Sequence, residues 1–124
     1  MLKIYSWNVN GIRAVVRKGA LQEFIAKHQP DILCLQETKA RQGQAEIDFE
    51  GYEEYWNSAE KPGYSGTAIF TKIKPIKVIN GFPDNFAKKY DFVDDKTRDA
   101  ASEGRVLTAE FDEFYLVTVY TINA

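Results

Sequence analysis

Two oxygen-bearing side chains, Asn8 and Glu37, stand at matching points of two predicted strands. Asn8 ends the first strand, and Glu37 lies just past the second. In a parallel pair both sit at carboxyl ends, where open α/β sheets place their ligands. Neighbouring strands lie about 4.8 Å apart, so the two side chains could share one hard cation. An oxygen-only pair favours Mg²⁺ over zinc. Taken singly, Asn8 reads equally as a turn former and Glu37 as a solvated end residue or helix cap. Arg13, Arg17, Lys18 and Lys39 fall near the same edge, where they read either as a polyanion contact or as a solvated face. The loop Gly63-Tyr64-Ser65-Gly66 carries an aromatic able to pack on a sugar or base, or is an ordinary turn. Tyr120 closes a strand and points either into a site or into the core. His28, on the apolar face of a helix, and Cys34, in a buried strand, read as structural. No Walker loop, Gly-x-Gly-x-x-Gly, serine elbow or zinc spacing occurs.

The elements that must position these residues are legible in outline. Residues 2–7 are rich in strand formers and stop at Asn8-Val9-Asn10-Gly11, a turn signal. Over 19–28, Leu21, Phe24, Ile25 and His28 recur at helical spacing, and Pro30 ends that helix. A short apolar strand, Ile32-Leu33-Cys34-Leu35, follows. Strand, helix, strand predicts a parallel pair. Further strands are predicted over 52–56, 66–71, 74–80, 105–111 and 114–120. Pro75 makes 74–80 an edge strand, and Asp112-Glu113 makes a two-residue hairpin. Residues 81–104 are long and polar, with a helical turn expected near 85–90. This is a mixed α/β sheet with few flanking helices. The last strand is almost continuously apolar, which predicts cover on both faces. One helix and one loop are too few to cover about six strands twice.

The 124 residues make a single domain, 1–124, with 44% hydrophobic and 27% charged residues, the proportions of a globular protein rather than a disordered one. The net charge of −2 gives no basic tail, so polyanion binding would need a local basic patch or a metal. No membrane-length apolar run and no leader are visible, and a lone cysteine suits a reducing compartment, so the expected location is cytoplasmic.

Five motifs, in order, carry a resemblance. Ser6-Trp7-Asn8-Val9-Asn10-Gly11-Ile12-Arg13-Ala14 resembles the opening motif of the exonuclease III-type apurinic/apyrimidinic endonucleases, in the endonuclease/exonuclease/phosphatase superfamily. Leu33-Cys34-Leu35-Gln36-Glu37-Thr38-Lys39 looks like their second motif and Gly63-Tyr64-Ser65-Gly66-Thr67-Ala68 their third. Glu103-Gly104-Arg105-Val106 and the stretch from Leu116 to the terminal Asn123-Ala124 resemble the fourth and fifth. The resemblance implies a Mg²⁺-dependent phosphodiesterase, with Mn²⁺ as a substitute, that cuts double-stranded DNA beside abasic sites and removes nucleotides from 3′ ends. It implies Glu37 as principal metal ligand and Asn8 as a nearby ligand or orienter. It implies Tyr120 as the active-site tyrosine and Asn123 as an asparagine near the scissile phosphate. Asn10, Arg13, Ala14, Lys18 and Lys39, with Gly63 and Tyr64, are implied contacts to DNA. Where the family reads Tyr-x-Pro-Asn, this sequence has Tyr120-Thr121-Ile122-Asn123, without the proline that stiffens the backbone aiming Asn123.

The implied fold is half of the four-layer α/β sandwich of the DNase I-like type, two similar halves with the site at their seam. The family's second-half motifs, a Gly-Asp-Leu-Asn-like segment and a late Ser-Asp-His, do not occur here. The expectation is therefore an N-terminal half, inactive alone. Its apolar set Val106, Leu107, Phe111, Phe114, Tyr115, Leu116, Val117 and Val119 is expected to pack partly under the helix and partly against a missing second half or a second copy. The alternative is a non-catalytic half-fold that dimerises and binds metal or DNA weakly.

Overall fold

The computed structural model describes residues 1–45, 47, 49–81 and 103–121. The helical turn expected near 85–90 and the candidate Asn123 lie outside the described residues. The elements run β1 (Ile4–Asn8), α1 (Ile12–Arg17), α2 (Ala20–His28), β2 (Ile32–Gln36), β3 (Glu53–Asn57), β4 (Thr67–Thr71), β5 (Lys77–Asn80), β6 (Val106–Glu110) and β7 (Tyr115–Val119). The mixed α/β class holds. The strands form two sheets rather than one, ordered β1-β2-β4-β3 and β5-β6-β7.

β1 and β2 are parallel, with Ile4 opposite Ile32 and Asn8 opposite Gln36. β4 then pairs antiparallel with β2 on one side and with β3 on the other. Both edges of β4 are thus occupied, so β5 cannot join that sheet beside its predecessor. It starts a second sheet, as the edge strand that Pro75 predicts. β6 and β7 follow as a hairpin, closed by the Phe111 N–H donating to the Phe114 carbonyl at 2.8 Å.

β2 and β4 are buried at every position, because each sends alternate side chains to two different cores. On one side Leu33, Leu35, Ala68 and Phe70 pack with Ile12, Leu21 and Ile25 from the two helices. On the other, Ile32, Cys34 and Ile69 pack with Leu107, Ala109 and Phe111 of the second sheet. The layers are helices, first sheet, second sheet. This corrects the expectation that β6 and β7 lie under the helix. They pack on the opposite face of the first sheet. Within this chain the last strand is covered on one face only, which leaves bare the face expected to meet a second half or a second copy. Leu116 and Thr118 turn inward, while Tyr115, Val117 and Val119 remain 63%, 43% and 45% exposed.

α2 begins after Gly19, in left-handed backbone, and ends at Gln29, also left-handed, whose N–H donates to the Ile25 carbonyl. His28 stacks with Phe24 and Tyr5, at centroid distances of 4.6 and 5.4 Å, in the structural role expected of it. The sequence pattern over residues 12–17 does not predict α1. Its six residues include Val15 and Val16, poor helix formers. Tertiary bonds hold its start instead: Gly11 N–H donates to the Glu37 carbonyl at 2.8 Å and Ile12 N–H to the Thr38 carbonyl at 2.9 Å.

Candidate functional site

The chain leaves β2 by an unusual backbone. Glu37 and Lys39 adopt positive φ (55° and 54°), as does Asn10 (47°) after β1. Beside them Gly66, at φ +95°, lets the loop before β4 press close: a Cβ there would stand 2.2 Å from Thr38 Oγ1. That contact allows Thr38 N–H to reach the Gly66 carbonyl (3.1 Å) and Lys39 N–H the Ser65 carbonyl (2.8 Å). Three loops are therefore laced together at the carboxyl ends of β1 and β2.

Glu37 is the centre of this corner. Its Oε1 accepts from Asn8 Nδ2 at 3.3 Å, and its Oε2 pairs with Lys39 Nζ at 3.1 Å. Lys39 Nζ also donates to Asn10 Oδ1 at 2.8 Å, and Asn10 N–H donates to Asn8 Oδ1 at 3.0 Å. Arg13 joins the rim by donating to the Lys39 carbonyl at 3.2 Å. Tyr120 arrives from the other sheet. Burial pushes its phenol up from the usual tyrosine range, and the Glu37 carboxylate, as a charge and as a hydrogen-bond partner, pushes it further; Tyr64 adds to the rise and Arg105 opposes it. Tyr64 donates its hydroxyl to Glu103 Oε1 at 3.5 Å, and Glu103 pairs with Arg105 at 3.1 Å.

The structure thus brings Asn8, Asn10, Glu37, Lys39 and Tyr120 to one corner, with Arg13 and Tyr64 at its borders. Gly63 lies in the Tyr64 loop, in left-handed backbone. Ala14 lies within α1 and Lys18 caps its end, and neither makes a side-chain hydrogen bond to the corner among the described residues. Sequence reasoning passed over Gln36. Its buried Nε2 donates to Ser6 Oγ and Thr118 Oγ1, both at 2.9 Å, tying β2 to β1 and to β7 directly behind Glu37 and Tyr120. The available signal was one amide ending an otherwise apolar strand.

The donor set suits a hard cation. Glu37 has carboxylate oxygens with about four acceptor sites, of which the contacts above use a part, and Asn8 could add its Oδ1, which here accepts from the Asn10 N–H while its Nδ2 faces Glu37. Among the described residues no group of three or more His, Cys, Asp or Glu converges.

The Endonuclease/Exonuclease/phosphatase family model matches residues 5–116. The chain belongs to this family. An exodeoxyribonuclease of Bacillus subtilis is 44% identical over 123 residues, covering 99% of the chain and 44% of the relative. The DNA repair nuclease APEX1 of Danio rerio is 43% identical over 128 residues, covering 99% and 37%. The catalytic domain of Xenopus laevis APE2 superposes with a TM-score of 0.75 at 30% identity, over 99% of the chain and 46% of that structure. The 3′-5′ exonuclease NExo of Neisseria meningitidis gives 0.71 at 29%, over 98% and 42%. This family member spans less than half the length of these relatives. No helix among its described residues is long and apolar enough to cross a membrane.

Proposed function

We propose that this chain supplies the metal-binding corner and one DNA-binding rim of a Mg²⁺-dependent phosphodiesterase of the exonuclease III type. The substrate is double-stranded DNA with abasic sites or 3′ ends, and the enzyme acts in the cytoplasm. The observation that carries the reading is the convergence of Asn8, Lys39 and Tyr120 on Glu37. Glu37 and Asn8 would hold the ion, Mg²⁺ or Mn²⁺, which when bound supplies Lewis-acid stabilisation of phosphate charge. Lys39 pairs with the Glu37 carboxylate and anchors Asn10. Tyr120 presents a protonated phenol at neutral pH, suited to donating to or orienting a phosphate oxygen. Arg13, Ala14 and Lys18 on one side, and Gly63 and Tyr64 on the other, border a path for the DNA backbone. Asn123 belongs to the same proposal by its motif.

Catalysis needs a second half, which we assign to the face left open at β7. The second reading, a non-catalytic half-fold that pairs with its own copy, draws on the same exposed Tyr115, Val117 and Val119. An incision assay on an abasic-site duplex with the purified chain separates these. No Mg²⁺-dependent cleavage above background is expected from the chain alone. Robust turnover abolished by Tyr120→Phe would overturn the need for a second half. The metal assignment is tested by Mn²⁺ binding followed by electron paramagnetic resonance. Glu37→Gln should bind at least tenfold more weakly, and unchanged affinity would overturn the assignment.

A further inference from the structure

Next to the metal corner, between the loop after Glu37 and the loop before β4, lies a cavity of about 170 Å³. Its walls include Arg41, Gln44, Ser58, Lys61, Gly63 and Tyr64, and among the described residues no carboxylate side chain lines it. The walls are pinned to each other. The Arg41 guanidinium donates to the Glu60 carbonyl at 3.3 Å, Gln44 Oε1 accepts from the Arg41 N–H at 2.7 Å, and Ser58 Oγ donates to the Ala40 carbonyl at 3.0 Å. Lys61 Nζ stands 5.4 Å over the Tyr64 ring.

Two cations therefore face one preformed hollow, and among the described residues neither is ion-paired. The guanidinium has five N–H donors, and the Glu60 carbonyl engages one of its nitrogens. The hollow is smaller than the roughly 300–1,000 Å³ of drug-sized pockets, so it suits a small anionic group rather than a whole nucleotide. Tyr64 is its shared wall with the corner, through Glu103 and Arg105 to the strand that pairs with β7. The chain as a whole carries a net charge of −2, so attraction of a polyanion has to be local.

We propose that the Arg41–Lys61 cavity is a phosphate subsite that grips the DNA backbone beside the candidate metal corner. This rests on the DNA-cleaving reading above and extends the DNA path past Gly63 and Tyr64. Neither Arg41 nor Lys61 belongs to the metal corner, so the subsite contributes to grip and not to chemistry.

The test uses the chain as it is and a fluorescein-labelled duplex containing an abasic-site analogue, with anisotropy measured across a NaCl series. Each backbone phosphate contact contributes about 0.9 to the slope of log affinity against log salt. The Arg41→Gln/Lys61→Gln double variant should lower that slope by about 0.9, and each single variant by part of that, while Lys27→Gln, on α2 and away from the cavity, should not. A parallel arm titrates inorganic phosphate against the amide signals of Lys61 and Gly63, which should move in the parent and not in the double variant. Because Arg41 also pins two loops, Lys61→Gln is the decisive variant if Arg41→Gln fails to fold. Normal DNA binding with slopes matching the Lys27→Gln control would overturn the subsite and leave the DNA reading intact. No DNA binding by the parent, with phosphate still moving those amides, would keep an anion site but overturn its assignment to DNA together with the proposed function. Silence in both arms overturns both.

Discussion

Glu37 has a side chain suited to ligation and a backbone that a glutamate rarely adopts. A non-glycine residue in left-handed conformation loses roughly 1–2 kcal/mol. Asn10, Lys39 and Ser65 share that conformation at the same edge, and such clustering is typical of functional sites. Glu37→Gly relieves the strain, loses contacts that are only partly shielded, and adds glycine's entropy penalty of about 0.5–1 kcal/mol. We therefore expect its stability in urea to stay within about 1 kcal/mol of the parent while Mn²⁺ binding is lost. A large destabilisation would mean that Glu37 is a structural residue. Gly66→Ala should do the reverse. Its Cβ would collide with the buried Thr38 hydroxyl at 2.2 Å, so a loss of at least about 2 kcal/mol is expected, read from the same unfolding curves. In metal-free Glu37→Gln, the Tyr120 phenol should titrate lower than in the parent, because the neighbouring negative charge is gone. ¹³C-tyrosine NMR against pH reads this directly, with Tyr120→Phe as the assignment control.

At the scale of elements, Asn8 and Glu37 were legible because strand, helix, strand forces a parallel pair and fixes which ends meet. α2 was legible from its period and its bounding Gly19 and Pro30. α1 was not, since its helicity comes from bonds to Glu37 and Thr38 rather than from its own residues. The split into two sheets was hidden for a related reason. The long-range pairing of β4 with β2, added to its pairing with its chain neighbour β3, closes the edge that β5 would otherwise use. Gln36 was missed because its partner Thr118 lies 82 residues away. Replacing it tests the tie it makes. Gln36→Leu strands the buried Thr118 hydroxyl, at a cost of about 1–3 kcal/mol. Adding Thr118→Val should return part of that loss, and strictly additive effects in urea denaturation would show that the two do not interact.

For the whole molecule, one layer ends in the open. Tyr115, Val117 and Val119 project from β7 as an exposed apolar row, the kind of surface that marks an interaction site when contiguous. Sedimentation velocity should show concentration-dependent association of the chain, weakened by Val117→Asp. A clean monomer at high concentration, with no hydrophobic dye bound, would remove the case for a covering partner. The β2 and β4 strands also separate two cores that carry different natural probes. Trp7 and Trp56 pack against the helix side. Cys34 lies in the sheet-to-sheet side, where burial pushes its thiol up to about 12. That thiol stays protonated in the fold between pH 9 and 12 while the unfolded chain ionises, so stability falls as pH rises through that window, by at most about 1.4 kcal/mol per unit. A thiol in this state reacts only when the two sheets part. Its labelling rate is thus a clock for that one interface, and tryptophan emission is a separate clock for the other. Running both on one sample would tell whether the molecule breathes as a single body or opens like a book along its middle sheet.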